Sequence, residues 1–454
     1  MRRRMRLLAA GAAAAAVLAM TACTAGGPTP GATFRASASG ELVAWGFNDA
    51  DDVGTARLRY AAHALHGVRI TLDQTDFDAS KFVTRIASNT VPDVVQMDAS
   101  SVDTYAAQGL ILPLDACYAA HHVDPRTRFY PQVAGTVEYH GHVWAVPQFY
   151  QPPAILLNTR VLKAAGVRAS AFDTSKPAVL LAAIRKLYRA RNGQPSVIGF
   201  DPQATGNAQL WMLGMGGRIV DAKGAPQLQN AGNRRALALL KRIYDAQGGY
   251  AKVKSYTDSF DEFGDGNQFV KDQVAAQVQP QWYVNVLAAT IKKVALAAVP
   301  FRDAAGQPYT TAGATSFVIP AGAKHLDAAC AWALDLTSPA AWEAAGAARA
   351  ATLRKTPGAV NTGLFTGSPA ADAAVRKEYV RDTEQAGFGQ VIGTYYAILP
   401  KGKSFGTSPA GAQVAQDVTD AMTSVLLGEQ SPQAALATAQ QKAEIAYRQV
   451  TENE

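Results

Sequence analysis

Charge is scarce in this sequence. Asp, Glu, Lys and Arg make up 17% of its 454 residues, below the quarter that is usual for soluble proteins. Beyond the first six residues there is no basic run, so nothing supports a nucleic-acid function. No HExxH or cysteine cluster occurs, which leaves no recognisable zinc motif. No internal repeat of fixed period is visible, which argues against a solenoid. After the N-terminus no apolar run is long and uncharged enough to span a bilayer. Apolar residues nevertheless reach 48%, so sizeable cores form and global disorder is excluded. The length implies two or three domains.

The N-terminus accounts for most of the net charge of +7. "MRRRMR" is a positive leader, and "LLAAGAAAAAVLAM" is an apolar stretch too short for a stable span. "MTAC" then ends at Cys23, and small residues before a cysteine here resemble a bacterial lipobox, with Cys23 as the lipidated first residue of the mature chain. An ordinary secretory signal cut nearby is the alternative. Without Arg2, Arg3, Arg4 and Arg6, 39 basic residues face 36 acidic ones, a net of +3. Residues 23–40 are rich in Gly, Pro, Ser, Thr and Ala and read as a flexible tether. Cys117 and Cys330 lie in Ala-rich helical stretches; an oxidising compartment permits a disulfide between them, which the sequence cannot establish, and two buried free thiols are the expectation.

Along the body, "GELVAW", "HGVRITLDQ" and "PDVVQMD" are strands alternating with helical segments, which predicts a parallel sheet covered by helices. Ligands bind beyond the carboxyl ends of such strands, so Asn48, Asp49, Asp98, Ser100 and Ser101 converge on one rim. A second alternation follows "AILLNTRVLKAAGV", and the C-terminus is two helices separated by Gly428 and Pro432.

Four motifs look chemical and are read more simply. His140 and His142 could form two arms of a metal site, but no third ligand accompanies them, so they are turn or surface histidines. "GMGGR" (214–218) follows a helix rather than opening one, and is a helix stop. "DEFGDGNQFVKD" (261–272) has Phe263 where a calcium loop needs oxygen. "GTSPAG" lacks the second glycine of a nucleophile elbow, and Ser408 before Pro409 is a helix N-cap. Aromatics recur where the chain should meet a cleft: Trp45 and Phe47, Phe149 and Tyr150, Trp211, and Trp282 with Tyr283. Rings beside Asp, Asn, Gln and Ser match a sugar, which offers C–H faces for stacking and hydroxyls for hydrogen bonds.

"PDVVQMDASSVDTYAAQGLILPLD", "YHGHVWAVPQF…LLNTRVLKAAGV", "GGRIVDAKG", "QVAAQVQPQW", "TSFVIPAGAKHLDAACAWALDLTSP" and "LLGEQSPQAALATAQQKAE" follow one another in an order that resembles the extracellular solute-binding proteins (family 1) of carbohydrate ABC transporters. The resemblance implies an α/β, two-lobed periplasmic-binding-protein-like fold of class II, with a solute enclosed between the lobes. The expected lobes are 41–148 with 300–325, and 149–299 with 326–454. Expected ligand contacts are Trp45, Asp49, Asp98, Ser100, Ser101, Tyr150, Gln151, Asn207, Trp211, Trp282, Tyr283 and Thr315, with Trp282 in the family's stacking position. Gln281 and Ala314 stand where the family often has Pro and Trp. The implied protein is a monomeric, lipid-anchored, extracytoplasmic binding component that delivers a sugar to ABC permease subunits. It uses no cofactor or metal, and touches membrane only through its anchor. A non-sugar solute (polyamine, phosphodiester or peptide) and an exported hydrolase are the rival readings.

One residue carries the expected anchor. Cys23→Ser should move the protein from the membrane to the soluble fraction, and a variant that stays membrane-bound as tightly as the wild type would refute the lipobox reading.

Overall fold

The computed structural model describes residues 31–355, 358–381 and 383–452; Cys23 and the signal segment lie outside them. Two large apolar cores organise the chain. Around the first stands a five-stranded sheet in the order Val68–Asp73, Gly40–Trp45, Val94–Asp98, Ala314–Val318, Val146–Tyr150. The first three strands are parallel, as the alternating pattern predicts. Ala314–Val318 is antiparallel to both of its neighbours. It arrives from the other lobe, so it enters the sheet from the opposite end.

The second core surrounds the strand Pro153–Asn158, every residue of which is buried. Its sequence "PAILLN" is a continuous apolar run, as a strand covered on both faces requires. Ala276–Pro280 and Leu296–Val299 flank it, both antiparallel, rather than forming a second parallel sheet. The helix Gly411–Leu427 closes this core with Val414, Val418, Ala421, Met422 and Val425, a spacing that forms one helical stripe. It stops at Gly428, whose φ of 81° is costly for any residue with a Cβ. Ser431 then caps the terminal helix Pro432–Thr451, its hydroxyl accepting from the Ala434 N–H at 3.2 Å.

The packing moves two of the expected lobe boundaries. Phe301 and Tyr309 lie in the second core, while Phe317 and Val318 lie in the first. The chain therefore returns at about Thr311–Ala314 and not at 300. The helix Leu326–Leu336, expected in the second lobe, fills the first core with Cys330, Trp332 and Leu336. The helices Pro339–Leu353 and Pro369–Tyr379 then join Val53 in a small satellite core through Trp342, Ala345 and Val375. Local periodicity marks these segments as amphipathic helices but is silent about which sheet they cover.

Cys117 and Cys330 are not free thiols. They form a disulfide across a sequence separation of 213 residues, with their Cα atoms 5.8 Å apart. Their helices are far apart in sequence and meet only in the folded first lobe, which is why the sequence offers no sign of the pairing. His140 and Gly141 make a tight turn between Glu138–Tyr139 and His142–Val143, with φ of 49° and 80°. His142 Nδ1 lies 3.0 Å from the Asp115 carboxylate, and the His140 ring stacks on Tyr139.

Closing so long a loop restrains the unfolded chain, for which loop-entropy arguments give about 2–5 kcal/mol. The unfolded, unreduced mature protein should present no titratable thiol at these positions, and Cys330→Ser should lower the melting temperature by several degrees. Two reactive thiols before reduction would contradict the bridge.

Candidate functional site

Between the two cores lies a cavity of about 430 Å³, within the range of small-molecule pockets, about 300–1,000 Å³. The first lobe supplies Asp98 and Ser100 from the carboxyl end of its third parallel strand, together with Thr315. Asp98 and Thr315 are direct partners in the antiparallel pairing of their strands, so they face the cleft side by side. The walls desolvate Asp98 and push its carboxyl above the ordinary carboxylate range, although the side chain still meets solvent in the cleft. Gln151 enters at the crossing between lobes, just after strand Val146–Tyr150. The second lobe supplies Thr205, Asn207 and an apolar floor of Leu210, Ile219, Val414 and Val418.

Thr315 is held from behind. The Gln148 side-chain amide donates to Gln96 Oε1 at 2.6 Å and lies 3.5 Å from Thr315 Oγ1. Gln148 Oε1 in turn accepts from the Arg57 guanidinium at 2.8 Å, and Arg57 Nε donates to the Leu336 carbonyl at 2.9 Å. Arg57 is fully buried among Phe47, Phe149 and Trp342, with the Trp342 ring centre 3.8 Å from its guanidinium carbon. Burial pulls its pKa down to about 9. Carbonyl dipoles and ring faces take the place of a carboxylate partner. The Phe149 ring, which lines the cavity, therefore rests on a buried cation.

Five of the expected contacts line this cavity: Asp98, Ser100, Gln151, Asn207 and Thr315. Trp45, Tyr150, Trp211 and Tyr283 do not. Each is at most 1% exposed. Trp45 Nε1 donates to Thr75, Trp211 Nε1 to the Pro202 carbonyl and the Tyr150 hydroxyl to the Leu399 carbonyl. The Tyr283 hydroxyl is bound by Asn267 and Gln268. These are core rings with satisfied polar tips, the commoner fate of an aromatic. Asp49 is engaged by Gln74 outside the cavity lining, and Ser101 sits one residue behind Ser100 at the start of helix Val102–Ala107. Trp282 is half-buried, its ring parallel to that of the exposed Phe263 at 6.1 Å, and it too is outside the lining. The loop Lys403–Ser408 lines the second lobe's side and places the half-buried ring of Phe405 in the cavity. A lone aromatic in the polar run "KSFGTS" was the available signal for it. Ser408 is not the immediate N-cap: the helix begins at Gly411, with Ala410 in the capping position.

A sequence profile described as bacterial extracellular solute-binding protein matches residues 60–373. The chain belongs to this family. It is a family of binding proteins and not of enzymes, and its description places the protein outside the cytoplasm. No helix among the described residues is long and apolar enough to cross a membrane. No group of three or more His, Cys, Asp or Glu among them is placed to hold a metal ion. Solved structures share the two-lobed fold. One is CpMnBP1 with mannotriose bound, at a TM-score of 0.71 and 21% identity over 89% of this chain and 100% of that one. Another is the GacH receptor of Streptomyces glaucescens, solved unliganded and with acarbose, at 0.66 and 20% over 91% and 99%. A third is the sugar-binding protein MalE of Xanthomonas citri, at 0.68 and 17% over 91% and 100%. No protein with a curated description matches the sequence.

Buried carboxyls near the lobe junctions set a pH dependence. Burial pushes Asp103 up to about 6 and Asp372 up to about 7, against the hydrogen bonds that each accepts from backbone N–H groups. Unfolded carboxylates titrate near 4, so between about 4 and 7 the folded protein holds more protons than the unfolded chain. These raised groups therefore stabilise the fold fully below about 4, and that contribution is lost as pH rises through 6 to 7. Asp73, held down to about 2 by Thr75 and Arg85 against the effect of burial, acts oppositely and is lost only in stronger acid. The melting temperature should thus peak near pH 4 and fall until about pH 7, and Asp372→Asn should flatten the upper part of that curve. An unchanged profile in the variant would contradict the assignment to Asp372.

Proposed function

We propose that this protein is the lipid-anchored, extracytoplasmic solute-binding component of an ABC importer. It encloses a sugar or short oligosaccharide between its lobes and presents it to the permease subunits. The observation that carries this reading is the cavity lining. The lining combines neutral hydroxyl and amide side chains (Ser100, Gln151, Asn207, Thr315) and the Asp98 carboxyl with the half-buried Phe149 and Phe405. A polyhydroxylated ring requires that mixture of hydrogen-bonding groups and flat apolar faces. The lining contains no arginine, and its lysine, Lys403, is paired with Asp303 at 2.8 Å. A phosphorylated or other anionic solute would thus lack a free counter-charge. The structural neighbours CpMnBP1 and the GacH receptor were solved with mannotriose and with acarbose bound, which agrees with a saccharide.

Two lobes joined by several crossings can open and close on a solute, and a permease can read the closed form. The anchor at Cys23 would keep the protein within reach of the permease, and a monomer suffices for this cycle.

Phe405 is the ring best placed to stack on a sugar, because it lies half-buried on a loop at the edge of the second core and lines the cavity. Stacked rings contribute about 1–3 kcal/mol in comparable contacts. Phe405→Ala should weaken binding of the preferred manno- or malto-oligosaccharide by about tenfold to a hundredfold in calorimetry. The melting temperature of the solute-free protein should barely move. Equal affinity in the variant would remove Phe405 from the site, and an effect of similar size in Trp282→Ala would restore the Trp282 expectation.

A further inference from the structure

Asp103 and Thr104 open the helix Val102–Ala107, whose Val102, Tyr105 and Ala106 are anchored in the first core. Their side chains reach across the cleft to the start of the helix Gly411–Leu427, which is anchored in the second core by Val414 and Val418. The Ser408 N–H donates to Asp103 Oδ2 at 2.7 Å, and the Ala412 N–H donates to Thr104 Oγ1 at 3.0 Å. The receiving helix has no side-chain cap of its own, since Ala410 stands in the capping position. The first turn of any helix leaves N–H groups without partners; here Thr104 of the opposite lobe accepts from one of them, the Ala412 N–H, while Asp103 accepts from the Ser408 N–H three residues ahead of the helix. Asp103 is a partner in none of the ion pairs among the described residues. Its carboxylate accepts instead from the Ser408 and Thr104 N–H groups, next to the start of a 17-residue helix.

Gly411 makes the approach possible. A Cβ on it would lie 2.8 and 2.9 Å from the two Asp103 carboxylate oxygens, closer than packed atoms allow. Both hydrogen bonds join atoms that move with different cores, so any opening of the cleft at this edge breaks them together. Asp103 also forms part of the cavity wall, which puts the junction at the cavity and not at a distant surface.

We infer that Asp103 and Thr104 are a closure latch: the first lobe caps a helix of the second lobe across the cleft, and Gly411 is the gap that admits the carboxylate. They are positioning residues, which set solute retention through the population of the closed form. This inference rests on reading the cleft as the solute site, but the latch itself is testable without solute.

The test is hydrogen exchange read by mass spectrometry on the full-length protein in detergent, at one pH and with no solute added. Asp103→Ala should speed exchange of the amides in 406–413 by about tenfold, the order expected from losing one charge-assisted hydrogen bond, while both cores keep their protection. Thr104→Val should act in the same direction and less strongly. Gly411→Ala should also speed exchange there, although Ala favours the helix intrinsically; a purely local role for Gly411 predicts slower exchange. If Asp103→Ala does not fold, the other two variants decide. Unchanged exchange in Thr104→Val together with unchanged or slower exchange in Gly411→Ala overturns the latch. Titration with mannotriose and maltotriose then separates the two ideas. Faster exchange in the variants of a protein that binds neither sugar leaves the latch standing and removes the sugar reading. Sugar binding that all three variants retain in full, with unaltered exchange, removes the latch alone.

Discussion

One strand holds the arrangement together. Ala314–Val318 returns from the second lobe and inserts, antiparallel, between Val94–Asp98 and Val146–Tyr150. Because side chains alternate across a strand, its register decides which residues meet the cleft. The observed register sets Thr315 opposite Asp98 and buries Ser316 and Phe317. A slip of one residue would turn Phe317 from the core towards the opposite face of the sheet. The same insertion brings the flanking Thr311–Ala314 segment into the cavity wall, so the connection between the lobes is itself part of the site.

Behind this strand the polar groups form a chain that runs from the cleft to the first lobe's helices. Gln96, Gln148 and Arg57 link Thr315 to the carbonyl end of the helix Leu326–Leu336. Buried polar groups are costly unless they are satisfied, and once satisfied they fix geometry. Arg57 meets this condition without a carboxylate, through the Leu336 carbonyl, Gln148 and three aromatic rings. Its aliphatic and planar parts also support Phe149. The cleft wall on the first lobe's side is thus backed by a hydrogen-bonded network, whereas the second lobe meets the cavity partly through the loop Lys403–Ser408.

The sequence made the fold class legible because its evidence was local. Buried runs such as "PAILLN" and "VVQM" bounded by polar residues, and the break between the last two helices at Gly428 and Pro432, each follow from neighbouring residues alone. Asp98, Ser100, Gln151, Asn207 and Thr315, expected from strand ends, the crossing between lobes and the family resemblance, all fall in the cavity lining. The errors share one cause, which is that distance in space is not written locally. Cys117 and Cys330 look like buried thiols until their helices meet. The helix Leu326–Leu336 shows which face is apolar, but not which sheet it covers. Trp45, Trp211, Tyr150 and Tyr283 were chosen as large rings near polar residues, and the same description fits a core ring whose polar tip has found a carbonyl, hydroxyl or amide. Phe405 and Asp103 were missed because each becomes significant only when the opposite lobe is in place.

The central claim is that the cavity between the cores, bounded by Asp98 and Thr315, holds one saccharide. Native mass spectrometry of the protein with manno- and malto-oligosaccharides tests it most directly, comparing wild type with a variant carrying both Asp98→Ala and Thr315→Ala. The account predicts one intact sugar per wild-type chain and little or none on a folded variant. No saccharide on the wild type, or equal occupancy of the variant, would contradict it.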